Sequence, residues 1–208
     1  MSAQRTLRSF LQGRDGTSTL EFVVIFGGFI AIVFFVMEVT LYLFFMATLE
    51  KAAESGARVA VRSRPVVSFA RTIEVAPGAH FGDSCSQGGG DACVPFSSTP
   101  LTCTGAACGA SAPVDCQDPD TSFDRILCHM RGFNARIQPE NVTIAYADVG
   151  IGFAGGPTVP MVTVAVHDVP FQTGILGLLL ASGANNEATL LATLPTRSAS
   201  MTGEDLAQ

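Results

Sequence analysis

The sequence predicts an α+β protein: a long N-terminal transmembrane and amphipathic helix, then a small disulfide-stapled, mainly antiparallel β domain. Three observations carry this. No charge falls between Phe22 and Met37 or between Val39 and Leu49. With Glu38 as the only interruption, the stretch is long enough to cross a bilayer as a helix, which takes about 20 residues. All six cysteines, Cys85, Cys93, Cys103, Cys108, Cys116 and Cys128, fall in one segment rich in Gly, Ser, Pro and Asp. Beyond that segment the apolar period falls to two, as a half-buried strand requires.

Composition narrows the class. Charged residues make up 14% and hydrophobic ones 48%, and the mean hydropathy of +0.38 is not that of an ordinary soluble domain. The net charge is −6, with no basic stripe interleaved with aromatics, so nucleic acid is not an expected partner. Basic residues flank both ends of the apolar run: Arg5, Arg8 and Arg14 before it, Lys51, Arg58, Arg62 and Arg64 after it. The positive-inside rule therefore does not set the orientation. The cysteines do. Their even number, loop-rich setting and lack of any CxxC pair favour disulfides in an oxidising compartment over zinc, although the sequence does not choose a pairing. That places the domain outside the cytoplasm and the helix N-terminus inside.

Three regions follow in order. Residues 1–16 form a basic leader that lacks the short apolar core and cleavage site of a secretory signal peptide. Residues 17–64 form the helix, with a transmembrane part at about 22–45. Past Leu49 it continues as "LEKAAESGARVAV", where Leu49, Ala52, Ala53, Gly56, Ala57 and Ala60 make a small-residue stripe at helical spacing. Glu54 and Arg58 form a favourable i,i+4 pair on the other side. Pro65 should stop the helix, giving roughly 70 Å at about 1.5 Å per residue. Residues 65–208 form the Cys-containing, β-rich domain.

Within that domain, "VVSFARTIEVAPG" could hold a strand before Pro77, and residues 83–120 read as loops held by cross-links. "SFDRILCHMRGFNARI" puts Phe123, Ile126, Leu127 and Met130 on one helical face, with Gly132 ending the helix. "NVTIAYADVGIGF" and "MVTVAVHDV" alternate and form a hairpin around Gly155, Gly156 and Pro157. The apolar stretch between Gly174 and Gly183 is too short for a second span. "ATLLATLPTRSASMTGED" reads as a last strand.

One short pattern carries function. Gly16 is followed by Thr17, Ser18, Thr19, Leu20, Glu21 and Phe22, a G-x-x-x-x-E-F sequence set between the basic leader and the apolar run. It resembles the processing signature of type IV pilin-like precursors. The fuller stretch "GTSTLEFVVIFGGFIAIVFFVMEV" and the later Ala52, Ala53, Ala57 and Arg58, as A-A-x-x-x-A-R, are similar to TadE-like proteins of the tight-adherence (Flp/Tad) pilus system. The resemblance covers about residues 13–64.

It implies a minor pilin or pseudopilin, cut between Gly16 and Thr17 by a prepilin peptidase at the cytoplasmic face. A glycine there lets the backbone enter a protease cleft closely. The cut removes three arginines and one aspartate, taking the net charge from −6 to −8. It creates an α-amino group at Thr17. Glu21, with Phe22 beside it, is then the glutamate that the family pairs with the N-terminal amine of a neighbouring subunit. A carboxylate near the bilayer centre costs about 2.5–3.5 kcal/mol, part of which such a pair recovers. The implied partners are the prepilin peptidase, other minor pilins, the major Flp pilin, the inner-membrane assembly platform and the lipid bilayer. The implied location is the bacterial inner membrane, single-pass with a periplasmic C-terminal domain, and a surface pilus if the chain is incorporated.

Other residues are read both ways. Glu38 is an interfacial carboxylate or a second intersubunit contact. Gly27 and Gly28 permit close helix packing or give local flexibility. His80, His129 and His167 are scattered, and Asp115, Asp118, Asp120 and Asp124 lack the spacing of an EF-hand. No hydrolase, metalloprotease or phosphate-loop motif is present. No enzymatic activity and no cofactor are therefore expected. The alternatives are a single-span, membrane-anchored periplasmic binding module not processed as a pilin and, more remotely, a thiol-dependent enzyme.

Overall fold

A charge-free apolar run with no proline favours one continuous helix, and α1 runs Thr17–Ala60. The computed structural model describes residues 17–85, 92–172 and 191–203. The leader with Gly16, and the apolar stretch between Gly174 and Gly183, lie outside the described residues. The chain divides into two units, Met1–Leu43 with Thr173–Leu190, and Phe44–Gln172 with Leu191–Gln208.

In the first unit, the described residues are 17–43 of α1. Phe22, Val23, Val24, Ile25, Phe26 and Phe29 stand exposed, as do most apolar side chains up to Leu43. An all-round apolar surface of this length is a candidate membrane span.

The second unit is organised around a four-stranded antiparallel sheet. Its strands are β3 (Leu101–Thr104), β4 (Val142–Ala147), β5 (Met161–Val166) and β8 (Arg197–Thr202), and their spatial order is β3-β4-β5-β8. The alternation read from the sequence is the sheet's two faces. Val142, Ile144, Tyr146, Val162, Val164 and Val166 are buried on one side, while Thr143, Ala145, Thr163 and Ala165 are half-buried on the other. The predicted hairpin is therefore β4–β5, with Ile144 opposite Val164.

Two short ladders flank the sheet. β1 (Glu74–Val75) pairs with β2 (Cys93–Val94), and β6 (Pro170–Gln172) with β7 (Leu191–Thr193). The expected last strand is thus split in two at Leu194–Thr196, where Pro195 cannot donate to a ladder. β3 corrects the reading of residues 83–120 as loops alone.

The helix α2 (Ser122–Arg131) buries Phe123, Ile126, Leu127 and Met130. Thr121 caps it by accepting from the Asp124 N–H at 3.1 Å, and Gly132 follows its last turn. The small-residue stripe of α1 meets this core. Leu49, Ala52, Ala53, Ala57 and Ala60 are buried. A Cβ built on Gly56 would lie 2.7 Å from Met130 Sδ and 3.2 Å from Val164 Cγ1. A side chain fits there only if Met130 shifts, so the small residues let α1 approach closely.

α1 ends at Ala60, short of Arg64. The Arg62 and Ser63 N–H groups donate to Val59 and Ala60 in tightened i,i+3 turns, and Pro65 disfavours helical backbone at Arg64. Glu54 pairs with Lys51 at 2.9 Å rather than with Arg58. This exposed pair adds little stability.

All six cysteines pair with their nearest neighbours in sequence: Cys85–Cys93, Cys103–Cys108 and Cys116–Cys128. The first closes on β2, the second ties β3 to the 3-10 turn Gly105–Cys108, and the third ties a loop to α2. Closing loops this short contributes about 2–3 kcal/mol each in the chain-entropy view.

The packing at Gly56 makes a direct prediction. Gly56→Val should lower the stability of the detergent-solubilised chain by about 1–3 kcal/mol, the usual cost of overpacking a core. Urea unfolding followed by the near-ultraviolet signal of the domain measures it. An unchanged midpoint would mean that Met130 can move aside freely.

Candidate functional site

The residues singled out for processing and assembly lie along the first unit's part of α1. Glu21 follows Thr17 by one helical turn and is exposed. Phe22 is 64% exposed, and its ring stacks on that of Phe26 at 5.6 Å, giving the start of the run an outward aromatic surface. Apart from the adjoining residues and the helix's own backbone, no heavy atom of the described residues lies within 4 Å of a Cβ built on Gly27 or Gly28, which leaves the backbone open to close approach at both. Glu38 is half-buried. Gly16 lies outside the described residues.

The scattered polar residues resolve into local structural roles. His80 is exposed, and its backbone N–H donates to Asp83 Oδ2 at 2.8 Å. His129 is exposed on α2. His167 is bonded on both ring nitrogens, to Asp168 Oδ2 at 2.9 Å and to Thr143 Oγ1 at 3.0 Å. Thr143 Oγ1 also meets Thr104 Oγ1 at 2.8 Å. This chain of contacts ties β3, β4 and the end of β5 across the polar face of the sheet.

The aspartates do not act as a cluster. Asp115 accepts from the Gln117 N–H, and Asp118 and Asp120 are exposed. Asp124 is fully buried at the start of α2, where its carboxylate accepts from Ser111 N at 3.1 Å and Ser111 Oγ at 2.6 Å. Burial opposes the charge, but the hydrogen bonds from Ser111 and Thr121 outweigh it and hold the carboxyl below its usual range. Among the described residues, no three His, Cys, Asp or Glu side chains are grouped to hold a metal.

Sequence reasoning missed a rigid aromatic platform in the second unit. The loop between β4 and β5 is clamped on both sides. Gly155 N donates to Ile73 O at 3.0 Å and Ile73 N to Gly156 O at 2.8 Å, while Ala154 N donates to Asp83 O and Gly82 N to Ala154 O. Phe81, 83% exposed, lies over Gly155, and the half-exposed Phe153 lies over Gly156. Gly155 has φ +80°, a left-handed conformation that favours glycine. A cleft of about 360 Å³ opens nearby, lined by Ile73, Val94, Pro95, Asp148, Ile151 and the Cys85–Cys93 pair. Asp148 shapes it by accepting from Phe96 N at 3.0 Å and Gly150 N at 2.8 Å. The available signal was the "GFAGGP" run, whose glycines read as a turn when they are also seats for aromatic rings.

Two comparisons found nothing: no curated protein and no solved structure matches the chain. A third did. The family described as TadE-like protein matches residues 16–58. The match spans the G-x-x-x-x-E-F sequence, the apolar run and the small-residue stripe as far as Ala57, ending at Arg58.

Asp124 makes the second prediction. Its folded-state pKa is depressed, so the stability it contributes is present above its unfolded pKa of about 3.9 and is lost as pH falls through the lower folded value. Asp124→Asn should cost about 1–3 kcal/mol at neutral pH, the range for a hydrogen-bonded charge. That gap to the parent should narrow below about pH 4. Thermal unfolding of both chains across pH measures it, and a gap independent of pH would assign the loss to packing alone.

Proposed function

We propose that this chain, TadE-like over residues 16–58, is a minor pilin or pseudopilin that is cleaved after Gly16 and takes part in assembly of a Tad/Flp pilus. The single observation behind this reading is the coincidence of three features along one stretch of the chain. The family match begins at Gly16, Glu21 stands one turn beyond Thr17, and most of the apolar side chains that follow are exposed through Leu43.

Each feature has a chemical part to play. Cleavage exposes an ammonium group at Thr17 that does not exist in the precursor. Glu21 supplies the opposite charge at the cytoplasmic edge of the apolar run, where a paired carboxylate is favoured over an isolated one. A neighbouring subunit's amine satisfies it, so correct docking is favoured over mere insertion. Gly27 and Gly28 offer the close backbone approach that helix packing in lipid exploits. Glu38 serves as a second contact between subunits or reaches the headgroups. The disulfides suit a periplasmic domain, which gives the helix an N-terminus-inside orientation. The partners are the prepilin peptidase, other minor pilins, the major pilin and the assembly platform, and the domain contributes to an initiating or tip complex.

Two measurements test this. N-terminal sequencing of the protein from membranes of cells with an active prepilin peptidase should begin at Thr17. An intact leader there ends the pilin reading and leaves the anchored binding module, whose domain would use the Phe81–Phe153 platform. In the same cells, Glu21→Ala should insert normally but abolish piliation. Normal pili with that variant would remove the pairing role of the glutamate while leaving the processing reading in place.

A further inference from the structure

We propose that the β8 edge of the sheet is a self-association site at which a second copy of this chain adds its own β8 in antiparallel register. The two edges of the sheet are built differently. β3 is four residues long, follows Pro100, and runs directly into a 3-10 turn locked by Cys103–Cys108. Short length and covalent closure are ways of blunting an edge. β8 is six residues long, has no proline, and lies at the end of the strand order with no further strand beyond it among the described residues. Its exposed side chains, Ser198, Ser200 and Thr202, are small and uncharged.

The hydrogen-bond phase fixes which backbone groups are available. The Gly203 N–H donates to Pro160 O at 2.8 Å, and Met161 lies opposite Thr202. Antiparallel ladders alternate. Arg197, Ala199 and Met201 therefore turn their N–H and C=O groups toward β5, while Ser198, Ser200 and Thr202 turn theirs outward. Among the described residues no backbone group pairs with these three on that side, which leaves them as a template for an extended strand.

The side chains argue for a second copy as the occupant. Pairing all three outward residues with their counterparts in another β8 centres the two-fold axis on Ser200. Ser198 then faces Thr202, a pair that hydrogen-bonds across strands, and Ser200, whose hydroxyl meets Thr163 Oγ1 at 2.8 Å within the chain, faces itself as a small residue that leaves room for close pairing. On the other face Ala199 meets Met201, a small residue against a large one, and Arg197 meets Gly203, so no like charges oppose each other. The contact is isologous, as a closed dimer requires.

Substitution at Ser200 tests this in the full chain in detergent. Facing residues at this phase have Cα atoms about 5.5 Å apart, within disulfide range. On mild oxidation, Ser200→Cys should yield a dimer joined through its two introduced thiols. Its yield should be at least about tenfold above that of a Ser68→Cys control, an exposed position off the sheet. Peptide mapping should find the cross-link at the substituted position and the native pairs intact. Ser200→Lys places two ammonium groups on the axis and should weaken dimerisation by about tenfold or more, an effect of about 1.4 kcal/mol or more. Ser200→Thr should keep dimerisation, and both variants should retain the parent circular dichroism. A cross-link yield for Ser200→Cys no higher than the control overturns the proposal. So does capture of the introduced thiol only by a different protein in membranes, or a folded Ser200→Lys chain with parental dimer affinity.

Discussion

Between Gly56 and the Met130 sulfur there is no space for a single carbon. That contact sets the architecture of the second unit. Met130 belongs to the buried face of α2 and Val164 to a central strand, so Gly56 touches both layers that the helix must cover. Ala52, Ala53, Ala57 and Ala60 extend the same smooth face and are all buried. Larger side chains would push the helix backbone away from Met130 and Val164. Small residues on a helix are usually a weak source of burial. Here their use is geometric, because they let backbone and neighbouring side chains come close enough for dispersion contacts to accumulate.

One helix is thus written in two codes. Over residues 22–37 it is apolar on every side, the composition of a segment whose solvent is hydrocarbon. Over residues 49–60 it is apolar on a narrow small-residue face, with Glu50, Lys51 and Arg58 exposed around it, the composition of a segment packed on protein and otherwise wet. In lipid there is no hydrophobic force to bring helices together, so the few polar or absent side chains carry the specificity. On the function proposed above, Glu21 just before the first stretch and Gly27 and Gly28 within it would be such positions.

Legibility in the sequence followed the locality of the cause. β4, β5 and α2 were readable because alternation and helical spacing are short-range patterns imposed by one buried face, as at Val142, Ile144 and Tyr146 or at Phe123, Ile126, Leu127 and Met130. The β3 strand was not. "LTCT" is four residues long, half of them exposed, and it owes its extended state to a partner about forty residues away and to a cross-link. Disulfide pairing is likewise a property of distances in space. Asp124 looked like one of four acidic loop residues, and its burial depends on Ser111 from a separate loop. The G-x-x-x-x-E-F sequence could be read for a different reason: it is a short linear pattern, and the family match begins at its glycine.

The asymmetry of the sheet has a physical consequence beyond stability. An edge strand is a row of backbone donors and acceptors that water must otherwise satisfy, and proteins normally spoil such rows with charge, proline or brevity. At β3 the spoiling is present: four residues, a preceding Pro100, and a disulfide at the strand's end. At β8 it is absent over Ser198–Thr202, where the exposed side chains are too small to obstruct a neighbour. The stability of this domain does not explain the difference, because β8 completes its pairing with β5 over all six residues on its inner side alone. Solubility would favour a lysine or a proline on the outer side, and neither is there. The outer side of β8 therefore has the composition of a surface that is covered some of the time, and the self-complementary order of Ser198, Ala199, Ser200, Met201 and Thr202 says which strand fits it best.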